Sequence, residues 1–307
     1  MNLPSVVKPN NGLSKAINKP SSVQTLDLGK SVALKKTSKG ENISSQFGIK
    51  KGSLDLVLIG DLTGSMASYH RLLKDQFTTL SRELQQFIPD LQIGIVFYLD
   101  HGQGDPYTTQ ACQITPDVKK LHEFIQKTPT GSGGDAPEAV EDALHDVLVI
   151  NWRPRVNRSI VIFGDATGKE PNNCPHQYSY FGITKSLYEK QVTINSVFCQ
   201  SGYSVDSLQR AFPVEIGDFS KKIANPSDVQ FFSWLANVTG GMIIGVDQIT
   251  DLLDIIKASA AKDAGVMDEY EASMKKDRTS GRTIELISVS KAALERKRIA
   301  SKRLMLT

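Results

Sequence analysis

Residues 56–66 read "LVLIGDLTGSM". Five apolar or small residues run into Asp61, and Thr63 and Ser65 follow at every second position, with Gly64 between them. A short unbroken apolar run is the pattern of a parallel strand covered on both faces. In open α/β sheets, ligands bind beyond the carboxyl ends of such strands. A carboxylate followed by two hydroxyls is a hard-oxygen set suited to Mg²⁺. Hydroxyls are weak ligands, so more carboxylate must come from other loops.

Two other loops offer it. "TGSGGDAPEAVEDAL" (130–144) places Asp135 in a glycine loop, with Pro137 where the first turn of a helix favours proline. "IVIFGDATG" (160–168) places Asp165 at the end of a second apolar run. Around these loops, strand and helix patterns alternate. Strands are expected at 54–60, 91–100, 158–165, 192–200 and 241–246. Helices are expected at 68–88, 117–128, 136–150, 182–191, 227–240 and 249–261. In the first of these, Leu73, Phe77, Leu80 and Leu84 recur at helical spacing. This alternation predicts an α/β fold: a doubly wound, mostly parallel sheet flanked by helices. All three aspartates then open on one sheet edge.

The ends differ in composition. Residues 1–50 are rich in Ser, Lys, Asn, Gly and Pro, and only "VQTLDLGKSVALKK" (23–36) alternates well enough for a strand. They read as an extended arm, 51–262 as the α/β domain, and 263–307 as a basic helical tail. Residues 275–307 hold ten Lys or Arg against three acids, which suits docking to an acidic surface. Both ends are expected to be dispensable for folding.

Composition narrows the function. The chain has 307 residues, 40% of them hydrophobic and 22% charged, with a net charge of +3. That charge is too small to imply nucleic acid. No apolar run approaches the roughly 18 residues of a membrane span, and no signal-peptide core is recognisable. Cys112, Cys174 and Cys199 are odd in number and far apart, without disulfide or zinc spacing. A reduced, cytoplasmic protein is expected.

"DLTGSM", "GGDAPEAV" and "VIFGDA" together resemble a von Willebrand factor A domain with its metal-ion-dependent adhesion site. The resemblance covers about residues 53–260 and extends to "WLANVTGGMIIGV" (234–246). It is most like the branch found beside alpha-kinase catalytic domains, which carries threonine in the first motif, "GGD-x-PE" in the second and "Y-x-DH", here "YLDH" at 98–101. No kinase catalytic domain is expected in the tail. The resemblance implies that Thr63 and Ser65 bind Mg²⁺ or Mn²⁺ directly. It implies that Asp61, Asp135 and Asp165 bind directly or through water, leaving a position open for an acidic side chain of a protein partner. Asp135 stands where many members have threonine and adds a negative charge. Asp100, His101, Lys169 and Tyr178 are expected on the partner-binding rim, with Lys169 offsetting that charge. Tyr178, Tyr180 and Phe181 are candidate aromatic anchors, and Cys174 a rim residue without nucleophilic duty. A shorter likeness, "LDLGKSVALKKTSKGENI" (26–43), is similar to the opening of tellurium-resistance (TerD-type) proteins. It points to a bacterial stress-response complex.

Rival readings use the same residues. "DLTG" and "DATG" fall outside the Asp-Thr-Gly of aspartic proteases by one inserted residue. "GDATGKE" is one short of a phosphate loop, with Glu170 at the Ser/Thr position. A haloacid-dehalogenase phosphatase needs aspartate at Thr63. A metal-dependent hydrolase would need Asp100 or His101 as general base. In a structural protein, the metal would only stabilise the fold. A non-enzymatic, metal-dependent protein-interaction module is the leading expectation.

Overall fold

β1, Ser53–Asp61, is buried along its whole length. Leu54, Leu56 and Leu58 enter one core, while Val57 and Ile59 enter the other. Alternate side chains of a strand leave on opposite faces, so covering both faces demands the unbroken apolar run. The other strands are β2, Asp90–Tyr98; β3, Thr109–Thr115; β4, Asn157–Gly164; β5, Val192–Phe198; and β6, Ile243–Gly245. Their order across the sheet is β3-β2-β1-β4-β5-β6. All pairs are parallel except β2 with β3. The computed structural model describes residues 49–102, 104–134, 136–222, 224–274 and 281–304.

The helices are α1, Ala67–Phe87; α2, Val118–Lys127; α3, Val140–Val149; α4, Tyr180–Glu189; α5, Val205–Ala211; α6, Asp228–Thr239; α7, Asp251–Asp263; α8, Met267–Met274; and α9, Gly281–Leu304. One core takes Phe77 and Leu84 of α1, Ile125 of α2, Ile256 of α7, Tyr270 of α8 and Leu286 of α9. The other takes Leu144 of α3, Leu187 of α4, Leu208 of α5 and Phe231 of α6. Helices therefore cover both faces, and the doubly wound, mostly parallel α/β fold is the one expected. Capping is local. Asp117, Ser179 and Ser204 each accept a bond from a backbone amide three residues on. Gly240, at φ 78°, ends α6 in a left-handed conformation that favours glycine. Among the described residues no helix is long and apolar enough to cross a membrane.

Three features depart from the sequence reading. β3 occupies a stretch to which the sequence reading assigned no element. It is an edge strand in which only Cys112 is buried, so the apolar signal of a strand is nearly absent. α3 begins at Val140, not at Ala136, so Pro137 lies in the loop before the helix. The chain there pairs with its neighbours instead: Glu138 bridges to Gly168, and the Ala139 amide donates to the Leu99 carbonyl at 3.1 Å. Finally, the described part of the C-terminal segment is packed, which its composition did not indicate. Leu286, Val289 and Ala293 of α9 are buried. Its charges are engaged as well. Arg296 donates to Asn237 and to the Gly241 carbonyl, Lys297 to Thr193 and Asp263, and Arg303 to Glu215. These contacts leave less of the helix for an acidic partner than its composition promised. The arm expected over residues 1–50, with its tellurium-resistance likeness, lies almost wholly outside the described residues.

His70 on α1 gives the fold a pH dependence. Its ring is 2% exposed, lies edge-on to Phe97 and reaches the Ile125 carbonyl at 3.3 Å. Burial, helped by Lys74, pulls its pKa down from 6.5 to about 4. The folded state keeps the ring neutral, while the unfolded chain takes a proton below its own pKa. This stability is therefore full above pH 6.5 and is lost as pH falls towards 4. Its loss should reach about 2–3 kcal/mol. Urea unfolding across that window tests it: the wild-type profile minus that of His70→Leu should show the slope, and a flat difference would contradict it.

Candidate functional site

Asp61 is the last residue of β1 and is fully buried. Gly60 is in register with Phe97 of β2 and Phe163 of β4. The residues that follow these strands therefore emerge at one edge. Asp61 Oδ1 accepts bonds from the Thr63 amide at 2.8 Å and the Thr63 hydroxyl at 2.7 Å. This turn holds Thr63 Oγ1 3.5 Å from Ser65 Oγ. The short turn Gly64–Met66 then leads directly into α1. The Asp-x-Thr-x-Ser spacing thus gathers three oxygen-bearing side chains at the mouth of the sheet. Thr63 is buried and Ser65 is exposed.

The second loop is laid across these strand ends. The Gly131 amide donates to the Leu62 carbonyl at 3.1 Å, and the Glu138 amide to the Thr167 carbonyl at 2.9 Å. The result brings Glu138 to Asp61. Oxygens of Asp61, Glu138 and Asp165 lie within 4.8 Å of one another. Glu138 was not among the expected ligands, and Asp135, which was, lies outside the described residues. The signal was present in "GGDAPEAV". Placing the helix start at Pro137 assigned Glu138 to a first helical turn, when it belongs to the loop.

Electrostatics single out this trio. Burial, then the neighbouring Asp61 carboxyl, push the Glu138 carboxyl up to about 10. Burial raises Asp61 too, although bonds from Thr63 oppose the shift. Two carboxyls this close and this dry cannot both ionise without a counter-charge. Asp61 Oδ2 and Glu138 Oε2 are both buried without a hydrogen-bond partner. Beside them the Tyr98 phenol is also unpartnered and fully buried. A Cβ at Gly164 would fall 2.5 Å from its oxygen. Orphaned acidic oxygens next to two hydroxyls are the donor set of a hard divalent cation, so the residues present fit Mg²⁺ or Mn²⁺.

The remaining expected residues assemble elsewhere. Lys169 Nζ binds Asp100 Oδ1 at 2.5 Å and also the Pro137 carbonyl, so its ammonium is engaged away from the trio. Its amide donates to Glu141 Oε2 at 2.7 Å. His101 Nε2 lies 2.8 Å from Asp142 Oδ2, and His176 Nδ1 lies 2.6 Å from Asp142 Oδ1. Cys174 Sγ is 3.6 Å from Asp142 Oδ2, and burial pushes its thiol up to about 11, which disfavours a free thiolate. Tyr178 stacks on His145 with centroids 4.1 Å apart and leans on His176. Tyr180 is a core residue, and Phe181 stacks on Trp234, so neither is a free aromatic anchor.

Gly133 tests the loop geometry. It has φ 81°, and a Cβ there would lie 2.5 Å from the Thr63 Cβ. Gly133→Ala should cost about 1–3 kcal/mol and weaken cation binding by displacing Thr63. Gly102→Ala is the control: φ is 70° but nothing lies within 4 Å, so cation binding should be retained. Calorimetric Mg²⁺ titration of both variants separates the two effects. Equal affinities would mean that Thr63 is not held by this contact.

No protein-family profile matches the chain. It is similar to the alpha-protein kinase vwkA of Dictyostelium discoideum, with 25% identity over 146 residues. That match takes in 46% of this chain and 23% of the kinase, so the chain spans under a quarter of its curated relative. Among solved structures it is similar to the conserved hypothetical protein BatB from Bacteroides thetaiotaomicron, with a TM-score of 0.45, 14% identity, and coverage of 69% of this chain and 100% of that one. It is also similar to proximal thread matrix protein 1 from the mussel byssus, at TM-score 0.46, 13% identity, and coverage of 68% of this chain and 46% of that one. The pilus adhesin SpaC from Lactobacillus rhamnosus GG gives a TM-score of 0.47 at 9% identity, covering 69% of this chain and 30% of the adhesin.

Proposed function

We propose that this chain is a divalent-cation-dependent protein-interaction module of the von Willebrand factor A type, in which Asp61, Thr63, Ser65, Glu138 and Asp165 hold Mg²⁺ or Mn²⁺. The observation that carries the reading is the buried Asp61–Glu138 pair, in which Asp61 Oδ2 and Glu138 Oε2 have no hydrogen-bond donor. When bound, the cation supplies a Lewis-acidic position that an acidic side chain of a partner protein can occupy. The chain's own residues orient the site. Thr63 fixes the Asp61 carboxylate through two bonds, and the exposed Ser65 stands on the solvent side. The motifs shared with the alpha-kinase-associated branch and the likeness to vwkA support this reading. The three free cysteines suit a reducing, cytoplasmic setting.

The hydrolase reading has less support. Its candidate bases are both engaged, Asp100 with Lys169 and His101 with Asp142. Affinity capture with immobilised protein tests the proposal in three arms: Mg²⁺ present, Mg²⁺ omitted, and Asp61→Ala in Mg²⁺. Capture confined to the first arm is the expected result. Equal capture in all three would remove the cation from the contact.

A further inference from the structure

We propose that His101, Asp142, Cys174 and His176 form a second metal site, one that takes zinc. The four come from three separate segments: the loop after β2, the first turn of α3, and the loop after β4. One ligand atom from each lies within 4.8 Å of every other. Two imidazoles, a thiol and a carboxylate make a borderline-soft set with four members, which is the number and chemistry of structural zinc sites and unsuited to Mg²⁺. In tetrahedral zinc coordination the ligand atoms stand about 3.3–3.8 Å apart. Asp142 lies 3.6 Å from Cys174 Sγ, within that range, and 2.8 and 2.6 Å from the two imidazole nitrogens, so those two contacts would lengthen as a metal enters.

The surroundings are built for the same purpose. The side chains of His101 and Asp142 are 7% and 8% exposed, and Cys174 is 4% exposed. With His101 Nε2 directed at the cluster, its Nδ1 faces Asp100 Oδ1 at 3.7 Å. Asp100 thus stands on the side of the ring from which a carboxylate orients a metal-binding imidazole, at a separation longer than a hydrogen bond. Asp100 is in turn held by Lys169. His101 Nδ1 and Glu141 Oε1 are otherwise buried without partners. On the exposed side, Tyr178 leans on His176 and fixes its plane.

The site gives the loops a brace. Asp142 follows Glu138 by four residues, and Cys174 follows Asp165 by nine, so one zinc ion ties together two of the segments that build the Asp61 trio. The inference is independent of the Mg²⁺ reading, because the two sites share no ligand. Metal analysis and cobalt substitution of the full chain test it. We expect one zinc per chain after dialysis, and a thiolate-to-cobalt charge-transfer band with tetrahedral visible bands in the Co²⁺ form. Cys174→Ser should lose the charge-transfer band, His176→Ala should lose zinc, and Asp61→Ala should keep both. Absence of stoichiometric zinc and of the cobalt–thiolate band in wild type would overturn the proposal, even if the variants fail to fold. A band that persists in Cys174→Ser would also overturn it.

Discussion

Asp263→Ala should destabilise the protein by about 3–5 kcal/mol. Asp263 ends α7, with its side chain 3% exposed. Four groups converge on its carboxylate. Lys262 and Lys297 supply charge, the Ser159 hydroxyl donates at 2.8 Å, and the Asn195 amide at 2.7 Å. Burial alone would raise its pKa, but the two ammonium groups outweigh that and hold the carboxyl well below its ordinary range. Removing the carboxylate leaves Lys262, itself fully buried, as an uncompensated charge. It also removes one of the two partners of Lys297, which keeps its bond to Thr193 of the sheet. Urea unfolding measures the loss. Lys262→Met combined with Asp263→Ala should recover part of it, because the stranded charge is gone. A loss under about 1 kcal/mol in the single variant would show that water reaches Lys262.

Glu138→Gln should have two opposite effects. It removes a proposed cation ligand, so Mg²⁺ binding should be lost. It should also stabilise the metal-free protein at neutral pH by about 2 kcal/mol. The sign follows from linkage. The Glu138 carboxyl is pushed from 4.5 up to about 10 in the fold. Its stabilising contribution is full below pH 4.5 and is lost as pH rises towards 10. Glutamine never ionises and so avoids that loss. Saturating Mg²⁺ should reverse the order of wild type and variant, since a ligand that binds only the folded state stabilises it. Melting curves with and without Mg²⁺ measure both effects. A variant less stable than wild type in both buffers would mean that Glu138 acts as an ordinary packing residue.

The framework was legible in the sequence because burial on both faces writes itself as apolar runs and burial on one face as helical spacing. β1 and α1 show this directly. β3 was not legible, since an edge strand with one buried side chain carries almost no such signal. The packed role of α9 was hidden for another reason. Composition counts Arg296 and Lys297 as surface charge, whereas the fold turns both inward to Asn237, Thr193 and Asp263. At the site, local spacing predicted the Asp61–Thr63–Ser65 turn, because those contacts span two residues. Glu138 depended on where a helix begins, and no local rule settles that when the loop is held by bonds to Thr167 and Leu99. The His101–Asp142–Cys174–His176 cluster was illegible for the same reason. Its members are spread over two loops and the first turn of α3, and only the sheet topology brings them together.

In the function proposed above, Asp61 and Glu138, with Asp165, hold a divalent cation through oxygens that have no hydrogen-bond partner in the protein. Calorimetric titration of chelator-stripped protein with Mg²⁺, wild type beside Asp61→Asn/Asp165→Asn, addresses it most directly. One Mg²⁺ per chain in wild type and none in the double variant is the predicted result. Binding of the same stoichiometry and affinity in both proteins would contradict it.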